Sequence, residues 1–193
     1  MSSIKLVTIF VICLFAIRCD TLLGKCKDVE YELESFDLNR YLGNWYEVAR
    51  AKSIPFQSGD CTQANYSFND DGSIKVNNTN IVNGVHRGGI GRAETTENPF
   101  RLKLRFPGTF WGKIITGDYQ IVDTDYDNYA IVYSCSDFIF AKFELYYILS
   151  RTREVSDDRI LELTNYVARK FNKTPNDFRV TDQSEETCGV AGI

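Results

Sequence analysis

The sequence has few of the residues from which metal centres and catalytic triads are built. His86 is the only histidine among 193 residues, and no two of the four cysteines beyond residue 25 are closer than 35 residues. A structural zinc site needs four such ligands at short spacings, and a nucleophilic triad needs a histidine with suitable neighbours. Met1 is the only methionine, which excludes redox scavenging by methionine in the processed chain. These absences weigh against a metal centre and against triad catalysis.

The sequence also lacks a charge excess of one sign. Its net charge is −4 with acidic and basic residues interspersed, so neither nucleic acid nor an anionic membrane is indicated as a partner. It has no internal repeats, low-complexity tracts, dividing linkers or phosphate-cradling glycine loops. The glycine cluster Gly88-Gly89-x-Gly91 lies in a predicted strand, where we expect it to mark a bulge or bend. One domain is therefore predicted.

Long apolar runs are confined to the N-terminus. Lys5 precedes an apolar run over 6–17, which is shorter than the about 20 residues that cross a bilayer. A membrane anchor is the alternative, but the pattern favours a secretory signal peptide. We expect residues 1–19 to form this signal, with cleavage no later than Gly24, and residues 25–193 to form the exported domain. The predicted localisation is extracellular.

Four cysteines remain after this segment: Cys26, Cys61, Cys135 and Cys188. An even number in an oxidising compartment predicts two disulfides, although spacing alone leaves three pairings open. The sequence also contains three N-glycosylation sequons, which begin at Asn65, Asn77 and Asn172.

Short runs of alternating apolar and polar residues follow one another, separated by turn residues such as Asn83-Gly84. They predict eight strands, at 45–51, 62–69, 73–82, 85–94, 100–106, 117–123, 128–135 and 142–150. Regular spacing of this kind indicates an antiparallel sandwich or barrel. A helix is predicted to begin after Ser156 and to run to about Lys170, because a capping hydroxyl and two acids precede an apolar stripe. A short strand at 178–181 follows.

Three separated motifs carry a family resemblance. Gly43-Asn44-Trp45 opens the first strand, Thr124-Asp125-Tyr126 precedes the seventh, and Arg151 ends the eighth. In this order they resemble the signatures of the lipocalins, particularly the apolipoprotein D and Lazarillo-like members. The resemblance implies an all-β fold: an eight-stranded antiparallel up-and-down barrel with one C-terminal α-helix packed outside.

The resemblance also implies a function. Lipocalins of this kind are secreted, non-catalytic carriers that bind a small hydrophobic ligand such as a fatty acid, steroid, retinoid or bilin. No metal or other cofactor is expected besides a bound lipid or pigment. The pairing that it implies is Cys26–Cys135 and Cys61–Cys188. Alternatives are an inhibitor-type lipocalin acting through its open-end loops, and a lipocalin isomerase, which would need a free thiol.

In an up-and-down barrel alternate turns lie at opposite ends. The start of the first strand, the turn between the sixth and seventh, and the end of the eighth therefore share one end. We expect the motif residues there to close the barrel without touching ligand, and the Arg151 guanidinium to lie over the Trp45 indole. The predicted barrel-closing set is Gly43, Trp45, Thr124, Asp125, Tyr126 and Arg151.

Ligand contacts are expected inside the barrel towards the other end. If Asn65 carries a glycan it points outward, so Ala64, Tyr66 and Phe68 point inward. Counting alternate residues back from Arg151 adds Phe143, Leu145 and Tyr147. The alternative is that these side chains fill the core only. Phe110 and Trp111 lie in an open-end turn and are predicted either to contact ligand or a lipid or lipoprotein surface, or to fold back onto the rim.

Overall fold

A computed structural model describes residues 26, 28–52, 58–108, 116–137 and 142–189, with the backbone alone at 137 and 143. Within these ranges a short helix, α1 (Leu38–Tyr41), precedes the strands. The strands are β1 (Gly43–Ala51), β2 (Asp60–Phe68), β3 (Ile74–Val82), β4 (Val85–Thr95), β5 (Arg101–Arg105), β6 (Gly117–Thr124), β7 (Tyr129–Asp137) and β8 (Lys142–Ser150). They are followed by α2 (Asp157–Lys170), a 3-10 turn (Pro175–Asp177), β9 (Phe178–Val180) and α3 (Glu185–Cys188).

The eight main strands form a closed antiparallel barrel. Each strand from β2 to β7 pairs with the strand that follows it, and β1 pairs with both β8 and β2. The predicted up-and-down barrel is therefore confirmed. The β3–β4 connection shows how the sequence encodes one of its reversals: Asn83 and Gly84 both have positive φ, at 52° and 73°, which suits a tight two-residue hairpin.

Helix α2 packs against the outside of the barrel, as predicted. The Ser156 side chain accepts a hydrogen bond from the Arg159 backbone N–H, which caps the first turn. Leu163, Val167 and Ala168 are buried on the apolar face of α2. These three belong to an outer core that includes Val48, Ala49, Ile131, Tyr133 and Ile148 from the barrel strands. Among the helices described, none is long and apolar enough to cross a membrane.

Strand β1 changes partner along its length. Residues from Gly43 to Tyr46 pair with β2, whereas Ala49, Arg50 and Ala51 pair with β9. The chain after β9 then reaches β2, because the Cys61 N–H donates to the Asp182 carbonyl at 2.9 Å. We call this part of the barrel, where β9 and residues 181–183 lie between β1 and β2, the seam.

Both disulfides attach terminal segments to the barrel. Cys26 is bonded to Cys135 on β7 with a Cα–Cα distance of 5.8 Å. Cys61 on β2 is bonded to Cys188 at the end of α3, with 5.3 Å between the Cα atoms. Each bond closes a long loop and so reduces the conformational entropy of the unfolded chain.

Candidate functional site

We call the end that holds the start of β1 the closed end, because Trp45 and Arg151 meet there. Trp45 is fully buried, and its indole N–H donates to the Tyr41 carbonyl at 2.8 Å. The Arg151 guanidinium carbon lies 3.7 Å from the centroid of the Trp45 ring. Arg151 also donates to the carbonyls of Tyr126, Asn44 and Arg40, each at 2.8 Å. The Arg151 side chain thus joins α1, β1 and the β6–β7 turn. Burial lowers the pKa of its guanidinium group.

The Thr124-Asp125-Tyr126 motif shapes the β6–β7 turn. Burial alone would raise the pKa of Asp125, but hydrogen bonds from the backbone N–H groups of Tyr129, Asn128 and Asp127 and from the Asn128 side-chain amide outweigh it and lower that pKa. Thr124 Oγ1 donates to the Tyr129 carbonyl and accepts from the Tyr126 N–H. The ionised carboxylate therefore accepts hydrogen bonds from the backbone N–H groups of the turn, in which Tyr126 has a positive φ of 70°.

Three tyrosine hydroxyls meet in the apolar core above this end. Tyr41 and Tyr119 share a hydrogen bond of 2.7 Å, and Tyr66 donates to Tyr119 at 2.8 Å. Burial raises the pKa of Tyr66 to about 12 and places those of Tyr41 and Tyr119 well above their ordinary value. The cluster is therefore neutral at physiological pH and can only donate or accept hydrogen bonds. Tyr41 precedes the first strand, so the alternation pattern did not reveal it.

Farther from the closed end, the inner wall includes a buried ion pair that the sequence analysis did not predict. Glu47 and Arg50 are each 2% exposed and are bonded to each other. Arg50 also donates to Thr181 Oγ1 at 3.2 Å and to the Gly59 carbonyl at 3.0 Å. The pair lies at the seam, where Thr181 Oγ1 donates to Glu47 at 2.6 Å.

A bulge explains why this pair was missed. Strict alternation puts residues 47 and 50 on opposite faces, but the β1–β8 register shifts between Glu47 and Ala49. As a result Glu47 lies opposite Leu149 and Arg50 opposite Tyr147, which share one face of β8.

Tyr147 lies between the polar seam and the apolar interior. It is partly exposed, pairs with Val132 on β7, and packs against both the inner and the outer core. Burial, followed by the nearby Glu47 carboxylate, raises the pKa of Tyr147 far above its ordinary value. Its hydroxyl is therefore a neutral polar group on the inner wall.

The upper inner wall is less tightly covered. Ala64 is partly exposed and packs against the inner core, but it lies lower, opposite Trp45. Leu104 lies opposite Gly117 at the start of β6, is also partly exposed and packs against the inner core. Phe106 continues this face just beyond β5 and is also partly exposed. Inner-face side chains that keep accessible surface indicate space within the barrel, and we call this half the open end.

The glycine cluster on β4 does not form a bulge. The β3–β4 register runs without a shift from Ile74–Ala93 to Val82–Val85, so the predicted bulge was wrong, whereas the alternative of a bend stays a prediction. A Cβ at Gly91 would lie 2.8 Å from Phe106 Cε1, and one at Gly89 would lie 3.7 Å from Phe106 Cδ1. The missing side chains instead give the Phe106 ring room against β4.

One predicted ligand contact is corrected. Phe68 has the predicted parity, but it is 49% exposed at the last position of β2, beyond the closed end, so it does not line the interior. Strand alternation predicts the face on which a residue lies, but it does not predict where along the strand the barrel ends. Leu145 is partly buried, shares the face of Tyr147 in the unshifted β7–β8 register and packs against the outer core; its contact with a ligand stays a prediction. The side chain of Phe143, and Phe110 and Trp111 entirely, lie outside the described residues.

The sequons occupy positions away from the interior. Asn65 and Asn77 lie directly opposite each other on β2 and β3. Their neighbours Tyr66 and Val76 face the inner core, so both asparagines face outward. Asn172 is exposed just after α2, with a positive φ of 53°. No cluster of three potential metal ligands occurs in the part of the chain described.

Comparison with known proteins agrees with this geometry. A family model described as a lipocalin-like domain matches residues 36–180. The chain belongs to the lipocalin family. Apolipoprotein D of Macaca fascicularis is 36% identical over 172 residues, which cover 86% of this chain and 85% of that protein. The Lazarillo protein of Schistocerca americana is 32% identical over 167 residues, 82% of this chain and 75% of its own length.

A solved structure shares the lipocalin architecture. Insecticyanin from the tobacco hornworm Manduca sexta superposes with a TM-score of 0.69 at 25% identity, covering 88% of this chain and 92% of its own. The barrel of this lipocalin is thus the arrangement expected of its family.

Proposed function

We propose that this lipocalin is a carrier that reversibly binds a small hydrophobic ligand in the open half of its barrel. One observation carries the proposal: inner-face residues are covered at the closed end but keep accessible surface at the open end. Trp45 and Ile121 are fully buried, whereas Leu104 and Phe106 are partly exposed. A cavity lined by apolar side chains with a few polar groups is typical of small-molecule sites.

The wall suits a ligand with a largely apolar body. Burial of apolar area contributes about 25 cal/mol per Å², less the cost of ordering the ligand. The neutral hydroxyls of Tyr66 and Tyr147 can fix the orientation of such a body by hydrogen bonding. Fatty acids, steroids, retinoids and bilins, the ligand classes implied by the family, all fit this description.

We further propose that binding involves no chemistry. The isomerase alternative needs a free thiol, and Cys26, Cys61, Cys135 and Cys188 are all held in disulfides. Those bonds also suit an exported protein. Cleavage of an N-terminal signal, glycans at Asn65, Asn77 and Asn172, and lipid contact through Phe110 and Trp111 remain predictions.

Two adjacent residues on β4 offer a matched test. Gly89 lies on the inner face opposite Asn78, while Ile90 is 52% exposed on the outer face. Gly89→Phe places a ring in the proposed cavity, and Ile90→Phe adds a comparable ring outside it. Binding of the fluorescent fatty acid cis-parinaric acid should weaken at least about tenfold in Gly89→Phe, a change of about 1.4 kcal/mol, and stay constant in Ile90→Phe.

Native mass spectrometry of the secreted protein provides the ligand test. The expected result is a co-purified small molecule of discrete mass that is lost in Gly89→Phe and kept in Ile90→Phe. If the wild-type protein carries no small molecule and binds neither cis-parinaric acid, a steroid nor biliverdin, the carrier function is refuted. Equal weakening of both variants would place the ligand outside the barrel.

A further inference from the structure

Arg87 is a charged residue on the inner face of β4, next to the open end. Val76 is buried in the inner core and lies opposite Gly91. Alternation along the continuous β3–β4 register then places Arg87, opposite Asn80, on the same face. Arg87 is exposed, as is Val85 at the hairpin tip beside it. Its guanidinium group is therefore carried on the wall of the barrel mouth.

This arginine differs from Arg50 and Arg179 at the seam. Arg50 is bonded to Glu47, and Arg179 donates to both carboxylate oxygens of Asp60, at 2.7 and 2.8 Å. Arg87 has no hydrogen bond or ion pair with any described residue. It is thus a cation at the mouth whose charge no carboxylate of the described chain neutralises.

A second observation concerns the inner face two residue pairs deeper along the same two strands. Asn78 faces inward opposite Gly89, and its Oδ1 atom is buried without a hydrogen-bond partner among the described residues. A buried polar atom left unpaired costs about 1–3 kcal/mol, so such atoms are normally satisfied. The amide oxygen cannot bind a carboxylate, because both groups only accept hydrogen bonds, but the amide can be turned so that its NH2 group takes this position and donates to a carboxylate. Asn80, between Asn78 and the tip, donates to the Ser58 carbonyl at 2.7 Å.

We infer that Arg87 and Asn78 bind the carboxylate of an amphipathic ligand whose apolar body lies deeper in the barrel. This inference rests on the proposed carrier function. Gly89 carries no side chain between the two polar residues and the Phe106 ring, so the ligand body can pass along β4. The three buried tyrosines offer only neutral groups, and Arg50 is neutralised by Glu47, so the carboxylate is favoured at the mouth.

The test compares a carboxylate with its ester. Wild-type protein and the variants Arg87→Gln and Arg87→Lys are titrated with cis-parinaric acid and with its methyl ester. Lys75→Gln is the matched control, because Lys75 is an exposed cation on the same hairpin whose neighbours Ile74 and Val76 face the inner core. Arg87→Gln should weaken binding of the acid up to about fivefold, the upper end of the range for exposed ion pairs, and leave binding of the ester unchanged. Arg87→Lys should retain most of the affinity.

Three further measurements test whether the effect of Arg87→Gln comes from an ion pair with the ligand carboxylate. That effect should shrink at 1 M salt, where screening acts within about 3 Å. Asn78→Leu should also weaken acid binding more than ester binding. Biliverdin and its dimethyl ester form a second acid–ester pair. If the protein prefers the acid only in the parinaric pair, the carboxylate is that of a fatty acid; if it prefers the acid only in the biliverdin pair, the carboxylate is a tetrapyrrole propionate.

The possible failures are distinguishable. If acid and ester weaken equally, or if Arg87→Gln behaves like Lys75→Gln, the carboxylate site is refuted while the carrier function stands. If wild-type protein binds no member of either pair, the carrier function and this inference both fail. Arg87 is exposed, so its variants should fold, which an unchanged thermal midpoint would verify.

Discussion

The two ends of the barrel use aromatic residues in different ways. At the closed end Trp45, Tyr41 and Tyr126 are buried, and their polar atoms are hydrogen-bonded within the protein. Towards the open end Phe106 and Tyr147 keep accessible surface on the inner wall. The same residue types thus close one end and leave the other able to receive a ligand. Changes at the closed end should alter stability, whereas changes at the open end should alter binding.

The largest effect is expected from truncating the closed-end tryptophan. Trp45→Ala removes a fully buried ring and the surface on which Arg151 lies, which should cost about 4 kcal/mol of unfolding free energy. Phe106→Ala is the matched truncation at the open end and should cost clearly less, because that ring is partly exposed. Urea unfolding measures both. Equal losses would contradict the division between the two ends.

The next effect concerns the seam between the ends. Glu47→Gln leaves the Arg50 guanidinium buried without its carboxylate, and breaking such a pair should cost about 3 kcal/mol. Replacing both residues by apolar ones, Glu47→Leu with Arg50→Met, should recover much of that loss, because no unpaired charge is left. Denaturant midpoints of the single and double variants test this. A double variant less stable than Glu47→Gln would show that the charges themselves are needed.

The smallest effect is expected at the β6–β7 turn and depends on pH. Asp125 has a lowered pKa in the folded state, so its ionised form adds stability above the ordinary carboxylate pKa, and this is lost as pH falls through the lowered value. Asp125→Asn should therefore cost about 1 kcal/mol at pH 7 and flatten the acid limb of the stability profile below about pH 4.

The neighbouring Asp127 provides the control for that profile. Its side chain is 74% exposed and pairs with Arg40, whose side chain is 52% exposed, so Asp127→Asn should change stability little. Thermal unfolding across the acid range distinguishes the two variants. Identical profiles would mean that the hydrogen bonds of Asp125 do not set the acid sensitivity.

Much of the fold could be predicted because each element has a local signal. The alternation of apolar and polar residues predicted the strands. Asn83-Gly84 predicted a tight reversal, and Ser156 predicted the start of α2. The closed end could be predicted for a related reason, because the up-and-down topology alone brings Trp45, the β6–β7 turn and Arg151 together. Local pattern and global topology agree at these positions.

The site was less predictable because it depends on departures from regular alternation. A one-residue bulge brings Glu47 and Arg50 to one face, and Tyr41 enters the interior from a helix that precedes the first strand. Phe68 has the right parity but lies beyond the closed end. The face on which Arg87 lies follows from strand alternation. Its lack of an ion-pair partner among the described residues can be seen only in the three-dimensional structure. Such features arise from register and burial, which residue types alone do not determine.

Chemical-shift mapping of the backbone amides during titration with cis-parinaric acid tests the central claim most directly. The division between the two ends predicts shifts at Asn78, Gly89, Leu104 and Tyr147 on the inner wall, and none beyond noise at Gly43, Asp125 and Arg151. Shifts concentrated at the closed end, or on outward residues such as Lys75 and Ile90, would contradict it.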